Sequence, residues 1–158
     1  MTEVNVTTGE LVESDYVETT NEMVLAKVAG MSGEAPSNIV SSITNESIDD
    51  RKRILSAITT STPLADELNK KIKIKEYVLQ ATTMIDDDLK REVPVLRVIL
   101  ITPDGKAYHA ISDGIYKALD NFVKIIGPTD TWGDDGLEAR VVQKQGRRGW
   151  KFLTLELA

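Results

Sequence analysis

The densest potential chemistry in this chain lies near its end, in Gln145-Gly146-Arg147-Arg148-Gly149-Trp150-Lys151-Phe152. Two adjacent guanidinium groups held between glycines can project from a tight turn, and each can grip a phosphate or carboxylate through paired N–H donors. Residues 139–151 also hold Arg140 and Lys144 and contain no acid, so the Gly146–Gly149 turn has no carboxylate within seven positions upstream or six downstream. The bland alternative for Arg147 and Arg148 is a solvated turn. A second stripe, Lys71, Lys73, Lys75 and Tyr77, alternates with Ile72 and Ile74, so cations and a ring would share one strand face. Such a stripe is either a path for phosphates or a solvated edge strand that its charge keeps from aggregating. Cations interleaved with aromatic rings suit a single-stranded nucleic acid, because every base offers a π-face whatever its identity.

Catalytic chemistry finds little support. The chain has no cysteine and one histidine, which removes thiol catalysis, disulfides, Cys-ligated zinc and most multi-histidine metal sites. His109 has no acid close to it in sequence and reads as a strand-face residue rather than a general base. Asp86-Asp87-Asp88 lacks the Asx-Gly spacing of a calcium loop and reads as a solvated turn. With no glycine-rich phosphate loop either, the expectation is no enzyme, no metal and no cofactor.

The elements that must position these residues follow from hydrophobic spacing. Ser47 starts a helix with Asp49 and Asp50 in its first turn and a stripe of Ile48, Ile54, Leu55 and Ile58, and Thr62-Pro63 restarts a short helix. Residues 71–78 alternate as a first strand, with Ile72, Ile74 and Val78 inward. Residues 94–102 form a second strand, Pro103-Asp104-Gly105 a turn, and 106–112 a third strand. Asp113 caps a helix carrying Ile115, Ala118, Leu119, Phe122 and Ile126, which Gly127-Pro128 ends. Residues 138–144 and 150–157 supply the fourth and fifth strands. On the fifth, Leu153, Leu155 and Leu157 would face the core, so Trp150, Phe152 and Thr154 would face away, either to stack on bases or to pack under the N-terminal helices. Tyr108 reads equally as a second stacking platform or a core or rim residue, and Trp132 as a lid over one end.

Three strands, a helix and two strands make a mainly β (α+β) domain in the order of an OB-type five-stranded Greek-key barrel, its helix between strands three and four. The expected division is an acidic arm over 1–45 and the barrel with its helical extension over 46–158. The stretch Met23-Val24-Leu25-Ala26-Lys27-Val28 is apolar enough to dock as a helix or strand.

Length and composition agree with this. The chain's 158 residues are 41% hydrophobic and 28% charged, sufficient for one domain with its own core. Apolar runs are too short to span a membrane, and the first twenty residues lack the basic end and apolar core of a secretory signal. The net charge of −6 is uneven: 5 bases and 12 acids in 1–70, against 14 bases and 13 acids in 71–158. Partners respond to local potential, so the acidic average excludes no polyanion.

Asp104-Gly105-Lys106-Ala107-Tyr108, Ser112-Asp113-Gly114-Ile115-Tyr116-Lys117-Ala118-Leu119 and Gly146-Arg147-Arg148-Gly149-Trp150-Lys151-Phe152-Leu153-Thr154-Leu155 together resemble the small single-stranded-DNA-binding proteins of bacteriophages. The resemblance spans roughly residues 45–158. It implies an OB-type domain that coats single strands in replication or recombination, without catalysis and in the host cytoplasm. The familiar bacterial counterparts end in an acidic, partner-recruiting tail, whereas here the acidic arm is N-terminal. The expected binding set is Lys73, Lys75, Tyr77, Arg140, Lys144, Arg147, Arg148, Trp150, Lys151 and Phe152. Single-stranded DNA is the expected partner, with replication or recombination proteins and a second copy of the chain as further partners and no membrane. The competing reading is an OB-type protein–protein adaptor without nucleic-acid binding.

Overall fold

The computed structural model describes Val24, Lys27, residues 38–44 and residues 46–158. The acidic stretch 1–22 lies outside the described residues; Val24 and Lys27 are helical.

Two sheets dominate. The larger one has the order β1-β4-β5-β6-β2, built from β1 (Ile39–Ser41), β4 (Glu76–Asp86), β5 (Arg91–Ile101), β6 (Ala107–Ala110) and the two-residue β2 (Thr62–Pro63). The smaller has the order β3-β7-β8, from β3 (Lys71–Ile74), β7 (Leu137–Gln145) and β8 (Lys151–Leu157). All pairings are antiparallel except β2 with β6. Helix α1 (Ile48–Thr60) lies between β1 and β2, and α2 (Asp113–Asn121) lies between β6 and β7.

The architecture is mainly β, but the sheets are open. The expected closed barrel is corrected here: among the described residues no ladder joins β6 to β8. The reason lies just after β6, which is only four residues long. The chain turns into α2 there, and its first residues meet the edge of β8 through side-chain bonds. Ser112 Oγ donates to the Leu153 carbonyl at 2.7 Å, and Thr154 Oγ1 donates to the Gly114 carbonyl at 3.1 Å. A Cβ on Gly114 would lie 2.4 Å from the Leu153 oxygen, so only glycine allows this approach. Ser112, not Asp113, is the N-cap, accepting from the Ile115 amide.

The first expected strand is really two. Lys75 falls between β3 and β4, and the chain changes sheet at that residue. This shifts the alternation by one position, which turns every later side chain to the opposite face. Ile72 and Ile74 therefore share the main core with Tyr77 and Leu79, while Val78 points the other way, towards α1.

α1 covers the outer face of the larger sheet. Ser47 caps it as expected, accepting from the Asp50 amide at 3.1 Å. Its packed stripe is the buried Ala57 with the half-buried Ile54 and Ile58, against Val78, Ile99, Ile101 and Ala107. Ile48 and Leu55 are not part of it; they stand 64% and 61% exposed. The main core lies between the sheets, where Leu79, Val98 and Leu100 meet Ile74, Val141, Leu153 and Leu155, and α2 adds Ile115 and Leu119. Leu157, expected inward, is exposed at the strand end. Thr62-Pro63 forms β2 and leads into a 3-10 turn, Leu64–Glu67, rather than a helix start. Trp132 is buried in the main core, with Nε1 donating to the Gly127 carbonyl at 2.9 Å.

Candidate nucleic-acid interface

Strand register builds the surface of interest. In the small sheet Lys71 lies opposite Arg140 and Lys73 opposite Glu138; across the next pair Arg140 faces Glu156, Val142 faces Thr154 and Lys144 faces Phe152. Because side chains alternate, these nine residues share the face turned from the core. None of them is buried. Each of the three strands contributes at least one charged side chain.

The β7–β8 connection extends this face. Arg147–Gly149 forms a single 3-10 turn, with Arg148 at φ +61° and Gly149 at φ +75°. The Gly146 amide donates to the Trp150 carbonyl and the Trp150 amide to the Arg147 carbonyl at 3.3 Å, closing the turn. Arg147, Arg148 and Lys151 are exposed, and Trp150 is 37% exposed. Phe152 is half-buried: a Cβ on Gly114 would stand 3.0 Å from its ring and one on Gly146 3.4 Å. It packs beside the start of α2 and leaves part of its ring open.

Several cations are steered by neighbours. Arg140 donates to the Asn69 carbonyl at 2.8 Å, which holds the guanidinium at the end of β3. Lys144 Nζ lies 2.8 Å from Glu156 Oε2, an exposed ion pair that a phosphate could replace at little cost. Glu138 and Glu156 are the acids of this face. Neither was expected there from the sequence, although their alternation with Arg140 and with Thr154 was the available signal.

Two expected members do not belong here. Tyr77 is 7% exposed and lies in the main core, because the break at Lys75 turned it inward. Burial, and then the charge of Asp120, hold its phenol above the usual pKa. Lys75 donates to the Gly133 carbonyl at 2.6 Å and lines a cavity of about 570 Å³ with Arg53, Glu76 and Asp134, away from Lys71 and Lys73.

The remaining polar clusters are structural. Asp86 Oδ1 accepts from the Asp88 and Leu89 amides at 2.9 and 3.0 Å, so the triple aspartate starts with a buried turn-forming residue. His109 Nδ1 lies 2.9 Å from Ser61 Oγ, which also accepts from Arg97 at 2.8 Å. Burial and then the Arg97 charge push the imidazole below its ordinary pKa. Tyr108 packs half-buried against the main core. Among the described residues, no group of three or more His, Cys, Asp or Glu could hold a metal, and no helix is long and apolar enough to cross a membrane.

A mainly β fold sets Lys71, Lys73, Arg140 and Lys144 on the outer face of one sheet, beside a partly exposed indole, an arrangement whose chemistry suits a polyanion. The family model described as Phage Single-stranded DNA-binding protein matches residues 33–158, and the chain belongs to that family. Single-stranded DNA is the partner this membership supports. No curated protein and no solved structure matches the chain.

Proposed function

We propose that the protein coats single-stranded DNA during phage DNA replication or recombination, in the host cytoplasm, without reading sequence and without catalysis. The observation that carries this is the outer face of β3, β7 and β8, whose cations run on into the Arg147–Gly149 turn and the exposed Trp150. Phosphates are met by Lys71, Lys73, Arg140, Lys144, Arg147, Arg148 and Lys151, and bases stack on Trp150 and the open part of Phe152. The domain is OB-type, and its boundary lies before the expected residue 46, because β1 pairs with β4 and Val24 and Ile43 are buried with the cores; the acidic appendage is residues 1–22. Its element order supports this, as does the chain at 71–86, which serves both sheets in turn. The seam between β6 and β8 is bridged by residues 112–114 instead of a ladder.

Titration with fluorescent dT oligomers of about 16 nucleotides, within the span that such domains occupy, tests the reading. Affinity should fall steeply with salt, and tryptophan emission should be quenched on binding. Binding that ignores salt, or no binding at low salt, would refute it.

One observation favours the adaptor reading: Ile48 and Leu55, seven positions apart, stand exposed on α1. A protein partner seated there would leave the basic face open, so its binding would survive molar salt.

A further inference from the structure

The ion pair between Lys144 and Glu156 does not join residues that lie opposite one another. The register sets Lys144 opposite Phe152 and Glu156 opposite Arg140, an offset of four strand positions, about 13 Å. Their charged ends nevertheless meet, with Lys144 Nζ 2.8 Å from Glu156 Oε2. Both side chains must therefore lie extended along the sheet, on the diagonal that crosses the Val142–Thr154 pair.

This diagonal has two consequences for the outer face. It draws the Lys144 ammonium away from the Arg147–Gly149 turn and towards Arg140, the partner of Glu156 across the strands. It also passes over Val142 and Thr154, both half-buried. The Thr154 hydroxyl is committed to the Gly114 carbonyl, so the ground beneath the pair is apolar, and the Phe152 ring borders it. Both members of the pair are exposed, and exposed pairs hold weakly.

We infer that this pair is a strap across the face, which a single strand opens. Lys144 leaves Glu156 for a phosphate, and Val142 with the Thr154 methyl group is uncovered for a sugar or base beside Phe152. The inference rests on the proposed DNA-binding face and adds how the affinity of that face is set. Without DNA, Glu156 offsets one of the cations gathered there, which otherwise repel one another. With DNA, one ion pair is exchanged for another, so Lys144 contributes less affinity than an unpaired lysine would. The freed carboxylate takes up a cation from solution, which offsets part of the counterion release that makes binding salt-dependent. Glu156 thus holds the affinity down and flattens its response to salt.

A double-mutant cycle on the full-length protein tests this, using Glu156→Gln, Lys144→Gln and the two together, titrated with fluorescent dT oligomers. All three variants should melt like the native chain, because both residues are exposed. Glu156→Gln should bind several-fold more tightly at low salt, and the gain should vanish at ~1 M salt, where screening shortens to ~3 Å. Lys144→Gln should cost about two- to fivefold more affinity when residue 156 is Gln than in the native chain, the range of an exposed ion pair. Glu138→Gln removes the same charge from the same face, opposite Lys73, and should combine additively with Lys144→Gln. Additive effects of Glu156→Gln and Lys144→Gln, or no low-salt gain from Glu156→Gln, would overturn the strap while leaving DNA binding intact. If the native chain and all the variants fail to bind dT at low salt, the DNA-binding reading is refuted, and the strap's role with it.

Discussion

The hydroxyl of Ser112 donates to the carbonyl of Leu153 at 2.7 Å while accepting from the amide of Ile115 at 3.3 Å. One buried side chain thus caps α2 and ties it to the edge of β8, the strand that carries Phe152 and leads from Trp150. The open seam between the sheets is held here, and the candidate binding face is positioned by it.

Ser112→Ala should therefore lower stability by about 1–2 kcal/mol, the cost of a lost N-cap together with a buried hydrogen bond. Gly114→Ala should cost about 1–3 kcal/mol by overpacking, since the new methyl group meets the Leu153 carbonyl oxygen of the backbone. Urea unfolding measures both. Unchanged midpoints would show that the seam contributes little.

Replacing Arg147 by Ala and Arg148 by Asn removes both turn cations, and Asn tolerates the positive φ at position 148. Affinity for dT oligomers should fall and the salt slope should shrink by about 0.7 for each phosphate that is no longer neutralised. The melting temperature should hold, because both side chains are exposed. An unaltered slope would reduce the turn to a solvated loop.

Trp150→Ala and Tyr77→Ala should separate cleanly. The first should weaken DNA binding by about 1–3 kcal/mol while the fold persists, as expected for a stacked base. The second should destabilise the fold by about 3–5 kcal/mol, as for any large core side chain, without a specific effect on the folded protein's affinity. Thermal melting paired with oligonucleotide titration reads both variants. A Trp150 variant that melts like the Tyr77 variant would mark the indole as packing.

His109, the one histidine, gives a clean pH test. Its folded pKa lies below the unfolded value of about 6.5, so the unfolded chain binds the proton first as pH falls. Stability should be full above about pH 7 and should decline as the pH drops through 6.5 towards the folded pKa. His109→Gln should flatten that decline, and ring NMR should place the folded pKa below 6.5. A ring pKa above 6.5 would reverse the sign and contradict the burial seen beside Arg97.

The sequence by itself determined the local elements and the identity of the cations. Ser47 and its acids start α1, Pro103-Asp104-Gly105 turns the chain, and Gly146 and Gly149 frame a turn bearing two arginines. Each of these depends on neighbours a few residues away, and such relationships are legible in order along a chain. Alternation on the last strand likewise separated Leu153 and Leu155 from Phe152 and Thr154. Only the tertiary structure decided where a strand changes sheet and what covers each face. The break at Lys75 reversed the phase of the strand beyond it, which sent Tyr77 into the core and drew Lys75 to Gly133. Helical spacing allowed several stripes on α1, and the sheet beneath selected Ile54, Ala57 and Ile58. The barrel stayed open because Ser112 and Gly114 meet β8 through a hydroxyl and a close backbone approach, between residues about forty positions apart. Periodicity records which side chains share a face of one element; which face is buried, and where pairing stops, depends on long-range packing that no local pattern encodes.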